Sequence, residues 1–189
     1  MEKLHKNLSA IIKNVGKTRP ILGSINFNEN GNLYVTDSYI AVEIIGGNLI
    51  EKTFNLNPET LSEVAGNYPN VERLIRNESE NEFELSVSDV ATIVKVLKPN
   101  KKDDVELVFG DGNLLITAQS SKNSANLTNK GINFEKRLFV SADLLLKVLN
   151  FPYDNKQPVS VGINKPAEAI VFKGQKEDYR IILMPIRKG

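Results

Sequence analysis

Asn30-Gly31-Asn32-Leu33-Tyr34-Val35-Thr36 is answered by Asp111-Gly112-Asn113-Leu114-Leu115-Ile116-Thr117, 81 positions further along the chain. In each stretch Gly follows Asn or Asp and apolar residues flank the pair, the signal of a tight hairpin whose turn needs positive φ. Two further blocks repeat in the same order. The stretch Glu51 to Leu61 (EKTFNLNPETL) parallels Glu135 to Leu145 (EKRLFVSADLL) at an offset of 84, and Ile11-Ile12-Lys13 parallels Ile93-Val94-Lys95 at an offset of 82. Three blocks at a nearly constant offset indicate an internal duplication, and that duplication sets the frame for the fold.

Each block has a local meaning. Asn57-Pro58 and Ser141-Ala142 are helix N-cap signals that follow a strand-like run, so each repeat carries a strand leading into a helix. The first repeat reads as a helix at about 2–16, strands near 21–28, 32–37, 39–45 and 49–56, and a helix at about 58–66. The second opens on an extra strand at 82–85. It continues with a helix from 88 to 98, strands near 104–109, 113–119, 124–128 and 134–140, and a helix at about 142–150. It ends on strands at 158–163, 169–172 and 179–184. The polar stretch from Tyr68 to Glu82 is the expected connector. The expected fold is α+β, with a reduced unit plus connector over 1–80 and a complete unit over 81–189.

The chain has 189 residues, 24 Lys+Arg against 23 Asp+Glu, one His and no Cys. That length can bury about 70% of the surface exposed when unfolded, so the fold needs no staples. Without Cys there are no disulfides, thiolate metal sites or thiol nucleophiles, in keeping with a reducing, cytoplasmic setting. The lone His5, in the first turn of a terminal helix, reads as exposed and idle and leaves multi-His metal sites and Ser-His-Asp chemistry without support. No apolar run approaches the roughly 20 residues of a membrane span, and no signal-peptide core follows Met1. The phosphate-cradling GxxxxGK[ST] loop is absent. Gly46-Gly47 and Gly110-Asp111-Gly112 read as turns, and Asp103-Asp104 and Glu78, Glu80, Glu82 and Glu84 as solvated charge. The sequence therefore points away from an enzyme and implies no cofactor and no metal.

A net charge of +1 leaves contact with nucleic acid to local sorting of charge. The first helix does sort it: at 100° per residue Leu4, Leu8, Ile11, Ile12 and Val15 fall on one arc and Lys3, Lys6, Lys13 and Lys17 on the opposite one. That arc is either an ordinary solvated face or a phosphate-facing one. Lys95 and Lys98, with Lys101 and Lys102, gather at the end of the next helix, where the macrodipole also accounts for them. The helix expected after Pro58 shows Glu59 and Glu63 instead.

Three segments carry a family resemblance. The C-terminal Tyr179-Arg180-Ile181-Ile182-Leu183-Met184-Pro185-Ile186-Arg187 resembles the closing strand and Met-Pro-Met-Arg ending of the bacterial sliding clamp, the DNA polymerase III β-subunit. Tyr68-Pro69-Asn70-Val71-Glu72-Arg73-Leu74-Ile75 looks like that family's Phe-Pro-Asp-Tyr-x-Arg-Val segment between its second and third domains. Arg19-Pro20-Ile21-Leu22, with Leu33-Tyr34-Val35-Thr36-Asp37-Ser38-Tyr39-Ile40-Ala41, resembles the strand pair ending in Thr-Asp-Gly-His-Arg-Leu-Ala, here one residue shorter. The resemblance spans nearly the whole chain as a shortened second domain and a complete third, two tandem clamp domains with two helices each on antiparallel sheets.

It implies a DNA sliding clamp, a processivity factor of DNA replication that encircles duplex DNA without regard to sequence and docks polymerase and clamp-loader peptides. Lys3, Lys6, Lys13, Lys17, Lys95 and Lys98 would then face DNA. Leu22, Thr36, Tyr39, Ile40, Pro69, Arg73, Leu74, Ile182, Met184, Pro185, Ile186 and Arg187 would line an apolar cleft for partner peptides. A ring of six domains would come from a homo-oligomer, three two-domain chains being the favoured count. The alternative is a clamp-fold binding protein that forms no ring and modulates or sequesters replication partners.

Overall fold

The computed structural model describes residues 2–13, 15, 18–50, 52–75, 79–164, 169–176 and 178–187. Among them are three α-helices, α1 (Glu2–Ile12), α2 (Val87–Leu97) and α3 (Ala142–Asn155). The first half holds strands β1 (Ile25–Phe27), β2 (Leu33–Thr36), β3 (Ile40–Ile44) and β4 (Phe54–Leu56). The second holds β5 (Asn81–Leu85), β6 (Asp104–Gly110), β7 (Asn113–Ala118), β8 (Ser124–Thr128), β9 (Lys136–Ser141), β10 (Val159–Ile163), β11 (Ile170–Gly174) and β12 (Tyr179–Leu183). All pairings are antiparallel, in one sheet of order β4-β1-β2-β3-β12-β11-β10-β5 and a second of order β8-β7-β6-β9.

The duplication read from the sequence is present as topology. After α1 come three meandering strands and a fourth that returns beside the first, in order β4-β1-β2-β3; after α2 the order is β9-β6-β7-β8. A third unit follows α3, its strands β10, β11 and β12 flanked by β5. Among the described residues the chain is thus three units of one helix and four strands, two of them within 81–187.

The two matching hairpins turn differently. Asp111 and Gly112 both have positive φ (49° and 71°), the two-residue turn the Asp-Gly pair demands. At Asn30-Gly31 only Gly31 is left-handed (φ 89°); Asn28 N–H donates to Asn32 O and Gly31 N–H to Asn28 O, so the loop is longer and Gly31 takes the bulge position.

The helix expected at 58–66 does not form, so among the described residues the first half has one α-helix and not two. Asn57 begins as a cap, its Oδ1 accepting from the backbone N–H of Glu59 and Thr60. Leu61 then enters the left-handed region at φ 57°, and the chain folds back until Val64 N–H reaches Asn55 O and Glu63 bridges to Leu56. The matching α3 has Leu145, Leu146 and Leu149 to bury, whereas here Leu61 is exposed and Gly66 and Pro69 follow. Two smaller differences occur at the start. The strand expected at 21–28 is a 3₁₀ turn (Pro20–Gly23) followed by the short β1, and α1 ends at Ile12, before the expected residue 16.

A single apolar core joins both halves. Leu8, Ile11 and Ile12 of α1, Ile93, Val94 and Leu97 of α2, and Leu145, Leu146 and Leu149 of α3 meet the inward residues of both sheets, Val35, Val42, Ile181, Leu107 and Ile116 among them. Helix α2 starts on a full capping box, Ser86 Oγ accepting from Asp89 N–H while Asp89 Oδ2 accepts from Ser86 N–H. The halves are bound by β3 and β12, paired over five residues from Ile40↔Leu183 to Ile44↔Tyr179. On the outer sheet face the connector crosses at Tyr68 and Val71. Thr36 N–H donates to Tyr68 Oη at 2.9 Å, and Tyr68 O–H reaches Ser24 O at 3.4 Å.

Two expectations follow. Ile181→Ala, fully buried at the β3–β12 joint, lowers stability by about 2–5 kcal/mol within a single unfolding transition; two separate transitions in denaturant would contradict the one-core description. Tyr68→Phe leaves Thr36 N–H without its acceptor and costs about 1–3 kcal/mol by the same measurement. Burial raises the phenol pKa of Tyr68, Tyr179 and Tyr34 above the ordinary 10.0. The unfolded chain therefore loses those protons first, so their contribution to stability is intact below about pH 10 and falls as pH rises beyond it. Unfolding midpoints measured on either side of that pH check the sign.

Candidate peptide-docking cleft and basic helix faces

Residues alternate across the strands, so the outward side of the long sheet is written in rows by the register. One row runs Thr36–Ala41–Ile182–Val171 across β2, β3, β12 and β11. It is aliphatic apart from Thr36, and it forms the floor of a cavity of about 450 Å³. The next row runs Tyr34–Glu43–Arg180–Lys173. There the buried Glu43 accepts from Asn32 Nδ2 at 2.9 Å and Tyr34 O–H at 3.2 Å, and Arg180 lies 3.7 Å from its second oxygen. The polar row ends the apolar floor on one side.

The walls come from three places. The 3₁₀ turn contributes Leu22 with Arg19 before it, the connector contributes Pro69, Val71, Arg73 and Leu74, and the chain leaving β12 contributes Met184. The β2–β3 turn closes the fourth side. Asp37 Oδ1 accepts from Tyr39 and Ile40 N–H, Ser38 sits at φ 83°, and Arg19 donates to Ser38 Oγ at 3.2 Å. Met184 N–H donates to Tyr39 O at 2.9 Å, tying that turn to the end of β12. The rim is apolar and open: Tyr39 is 62% exposed, Leu74 56% and Met184 40%. Large exposed apolar side chains around a largely aliphatic floor, with arginines at the edge, suit an extended peptide with aliphatic or aromatic anchors.

Nine of the residues expected in the cleft line this cavity: Leu22, Thr36, Tyr39, Ile40, Pro69, Arg73, Leu74, Ile182 and Met184. Pro185, Ile186 and Arg187 do not. Past Met184 the chain turns away, and Ile186 N–H donates to Phe139 O on β9, which carries all three off the floor. The sequence reading missed Arg19, Ser38, Ala41, Val71, Asn164, Ala169 and Val171. Val71 was within a segment already quoted, but Val171 enters only because the register sets it opposite Ile182.

The basic residues are less uniform. Lys6 is exposed on α1 and Lys13 just past its end, and Lys95 is exposed on α2. Lys3 Nζ donates to Asp154 O at 2.6 Å at the end of α3, and Lys98 Nζ stands 4.9 Å from the centre of the Tyr153 ring. Lys17 lies outside the described residues. Among the described residues there is no group of His, Asp and Glu arranged to hold a metal, and no helix is long and apolar enough to cross a membrane.

No family model and no curated protein matches the sequence. Solved structures do match the fold. The Helicobacter pylori β clamp in complex with diflunisal aligns over 98% of this chain and 64% of its own length, with a TM-score of 0.76 at 16% identity. The same clamp bound to a DNA ligase peptide gives 97%, 63%, 0.74 and 16%. A putative DNA polymerase III β-subunit from Eubacterium rectale gives 98%, 63%, 0.77 and 10%. The chain spans a little under two thirds of the length of these proteins. Over almost all of its own length, it has the fold of the bacterial DNA polymerase III β sliding clamp.

Proposed function

We propose that this chain is a non-enzymatic, clamp-type processivity subunit of a DNA replication machine. It docks short apolar peptides of a polymerase or clamp loader in the cleft and holds duplex DNA along the basic faces of its helices. The cleft carries the reading: an open, aliphatic-rimmed cavity of about 450 Å³ on the β3–β12 joint, in a fold whose H. pylori relative is solved with a DNA ligase peptide. Residues 1–80 act as the reduced clamp-like domain and 81–189 as the complete one, in the cytoplasm. Two or three anchors worth about 1.5–3 kcal/mol each, less the cost of association, give roughly micromolar affinity. Contact of Lys3, Lys6, Lys13, Lys17, Lys95 and Lys98 with phosphates is independent of sequence and weakens steeply with salt.

One observation favours a second reading, a clamp-fold binding protein that closes no ring of its own. Head-to-tail closure of three copies needs an open outer strand at both ends of the chain. In the first half β3 is already paired with β12, and the outer side of β4 is covered where Val64 N–H bonds Asn55 O. Among the described residues that end keeps no uncovered outer strand, which counts against the trimeric ring expected from the sequence.

Met184→Ala with Leu74→Ala, both exposed, weakens binding of a polymerase-derived apolar peptide by about tenfold or more in calorimetry while the unfolding midpoint holds. Unchanged affinity in that variant contradicts the cleft assignment. Primer extension on circular DNA separates the readings: longer products support the processivity subunit, inhibition supports the non-ring binding protein, and no effect contradicts both.

A further inference from the structure

The polar row on the outer sheet face does not stop at Tyr34. Register sets Asn26 of β1 beside Tyr34 and Asn55 of β4 beside Asn26, and both asparagines are more than nine-tenths buried. They floor a second cavity, of about 340 Å³, walled by the connector from Gly66 to Glu72. Pro69 and Val71 line this cavity and the apolar cleft alike, so the two lie on either side of one stretch of chain. The amides of the floor have a single orientation. Asn55 Nδ2 donates to Val64 O at 3.3 Å and to Gly66 O at 3.0 Å. Carbonyl oxygens only accept, so Asn55 Oδ1 faces the other way and accepts from Asn26 Nδ2 at 2.9 Å. Asn26 Oδ1 is thereby left as an acceptor that no donor among the described residues reaches. Tyr34 O–H is also turned away, donated to Glu43 at 3.2 Å. Free amide hydrogens are left to the walls, on Asn28 and Asn70, whose Oδ1 atoms already accept from Asn30 and Arg73 N–H. Glu72 stands at the rim with its side chain exposed, and no Lys, Arg or His lines the cavity. Burial first, then the carboxylates of Glu43 and Glu72, raises the Tyr34 phenol pKa, so the charge of Glu72 is felt at the floor.

We propose that this cavity is a guanidinium subsite, taking an arginine side chain of the same partner whose apolar anchors occupy the cleft. The choice follows from the count of donors and acceptors. An anion needs donors and positive charge, and neither the floor nor the rim supplies them. A group made only of donors suits a floor of oxygens edged by a carboxylate. Ammonium is such a group, but it is a compact and strongly hydrated charge. Guanidinium presents five donors in one plane, gives up its water more readily and keeps its charge. Its N–H groups suit Asn26 Oδ1 and the second lone pair of Asn55 Oδ1, with its outer edge toward the Glu72 carboxylate. Across the connector the cleft has Arg19 and Arg73 among its lining residues, which repel a basic residue there and leave this cavity as its favourable place. An extended peptide advances about 3.3 Å per residue, so an arginine about two to four residues beyond the anchors clears the connector and reaches the cavity. The identity of the partner rests on the cleft reading; the preference of the cavity for guanidinium does not.

Two titrations of the full chain test this. The first uses N-acetyl-arginine methylamide, followed by the ¹⁵N side-chain amide signals of Asn26 and Asn55, which should shift to saturation. Glu72→Gln, a change at an exposed position, should weaken that binding about tenfold, and the matching citrulline and lysine derivatives should bind the wild type about tenfold more weakly. Signals that stay fixed, citrulline or lysine binding as well as arginine, or stronger shifts with sodium phosphate, glucose or calcium chloride would each overturn the inference. The second titration compares a polymerase-derived apolar peptide with copies carrying one arginine about two to four residues beyond either end of the anchors. At least one arginine position should tighten binding about fivefold or more on the wild type and lose that gain on Glu72→Gln. A plain peptide that binds while no arginine position adds anything overturns the inference and leaves the cleft reading standing. A plain peptide that fails to bind contradicts the cleft reading, and the first titration then decides the chemistry of the cavity by itself.

Discussion

The β3–β12 pairing is the interaction on which the rest depends. It fuses two short sheets into one of eight strands, places α1 against α3 in a common core, and lays Ala41 beside Ile182 on the outer face. The same five-residue joint thus stabilises the fold and makes the floor of the cleft. The first half could not stand without it: its β1 and β4 have three residues each, and its helix is 11 residues long. A segment of that size buries too little apolar surface alone to offset the entropy of ordering it.

Beside the joint, one sheet face carries two different tasks in adjacent rows. The row through Thr36, Ala41, Ile182 and Val171 is largely aliphatic and floors the cavity. The row through Tyr34, Glu43, Arg180 and Lys173 is polar, and its buried carboxylate is held by a phenol, an amide and a nearby guanidinium. A single-residue slip of β3 against β12 would put Glu43 under the helices, so the pair also fixes register. The connector finishes the cleft because Tyr68 anchors to Thr36 N–H and presents Pro69 to Leu74 along one edge.

Much of this was legible in the sequence, for reasons that differ by element. The Gly31 and Gly112 turns and the Ser141 cap are local chemistry, and apolar spacing marks α2, so hairpins and helices α2 and α3 were placed within a few residues. The nine shared cleft residues came from segments resembling a known family, and the structure brings those distant segments together. The failures were of contacts across the chain. Nothing local in Asn57-Pro58-Glu59-Thr60 distinguishes a helix start from a turn; what decides is the missing apolar partner and the left-handed Leu61. Pro185 to Arg187 were carried along with Met184, and only the Ile186–Phe139 bond shows that the chain has turned away.

The central claim is that the cavity on this joint receives a partner's apolar anchors. The sequence has two methionines, Met1 and Met184, so a spectrum of ¹³C-methyl methionine carries a reporter on the cleft rim and a reference on the terminal residue. Titrating a polymerase-derived apolar peptide should shift the Met184 signal progressively to saturation, with the Met1 signal fixed. A Met184 signal that stays in place while the peptide binds would contradict the account.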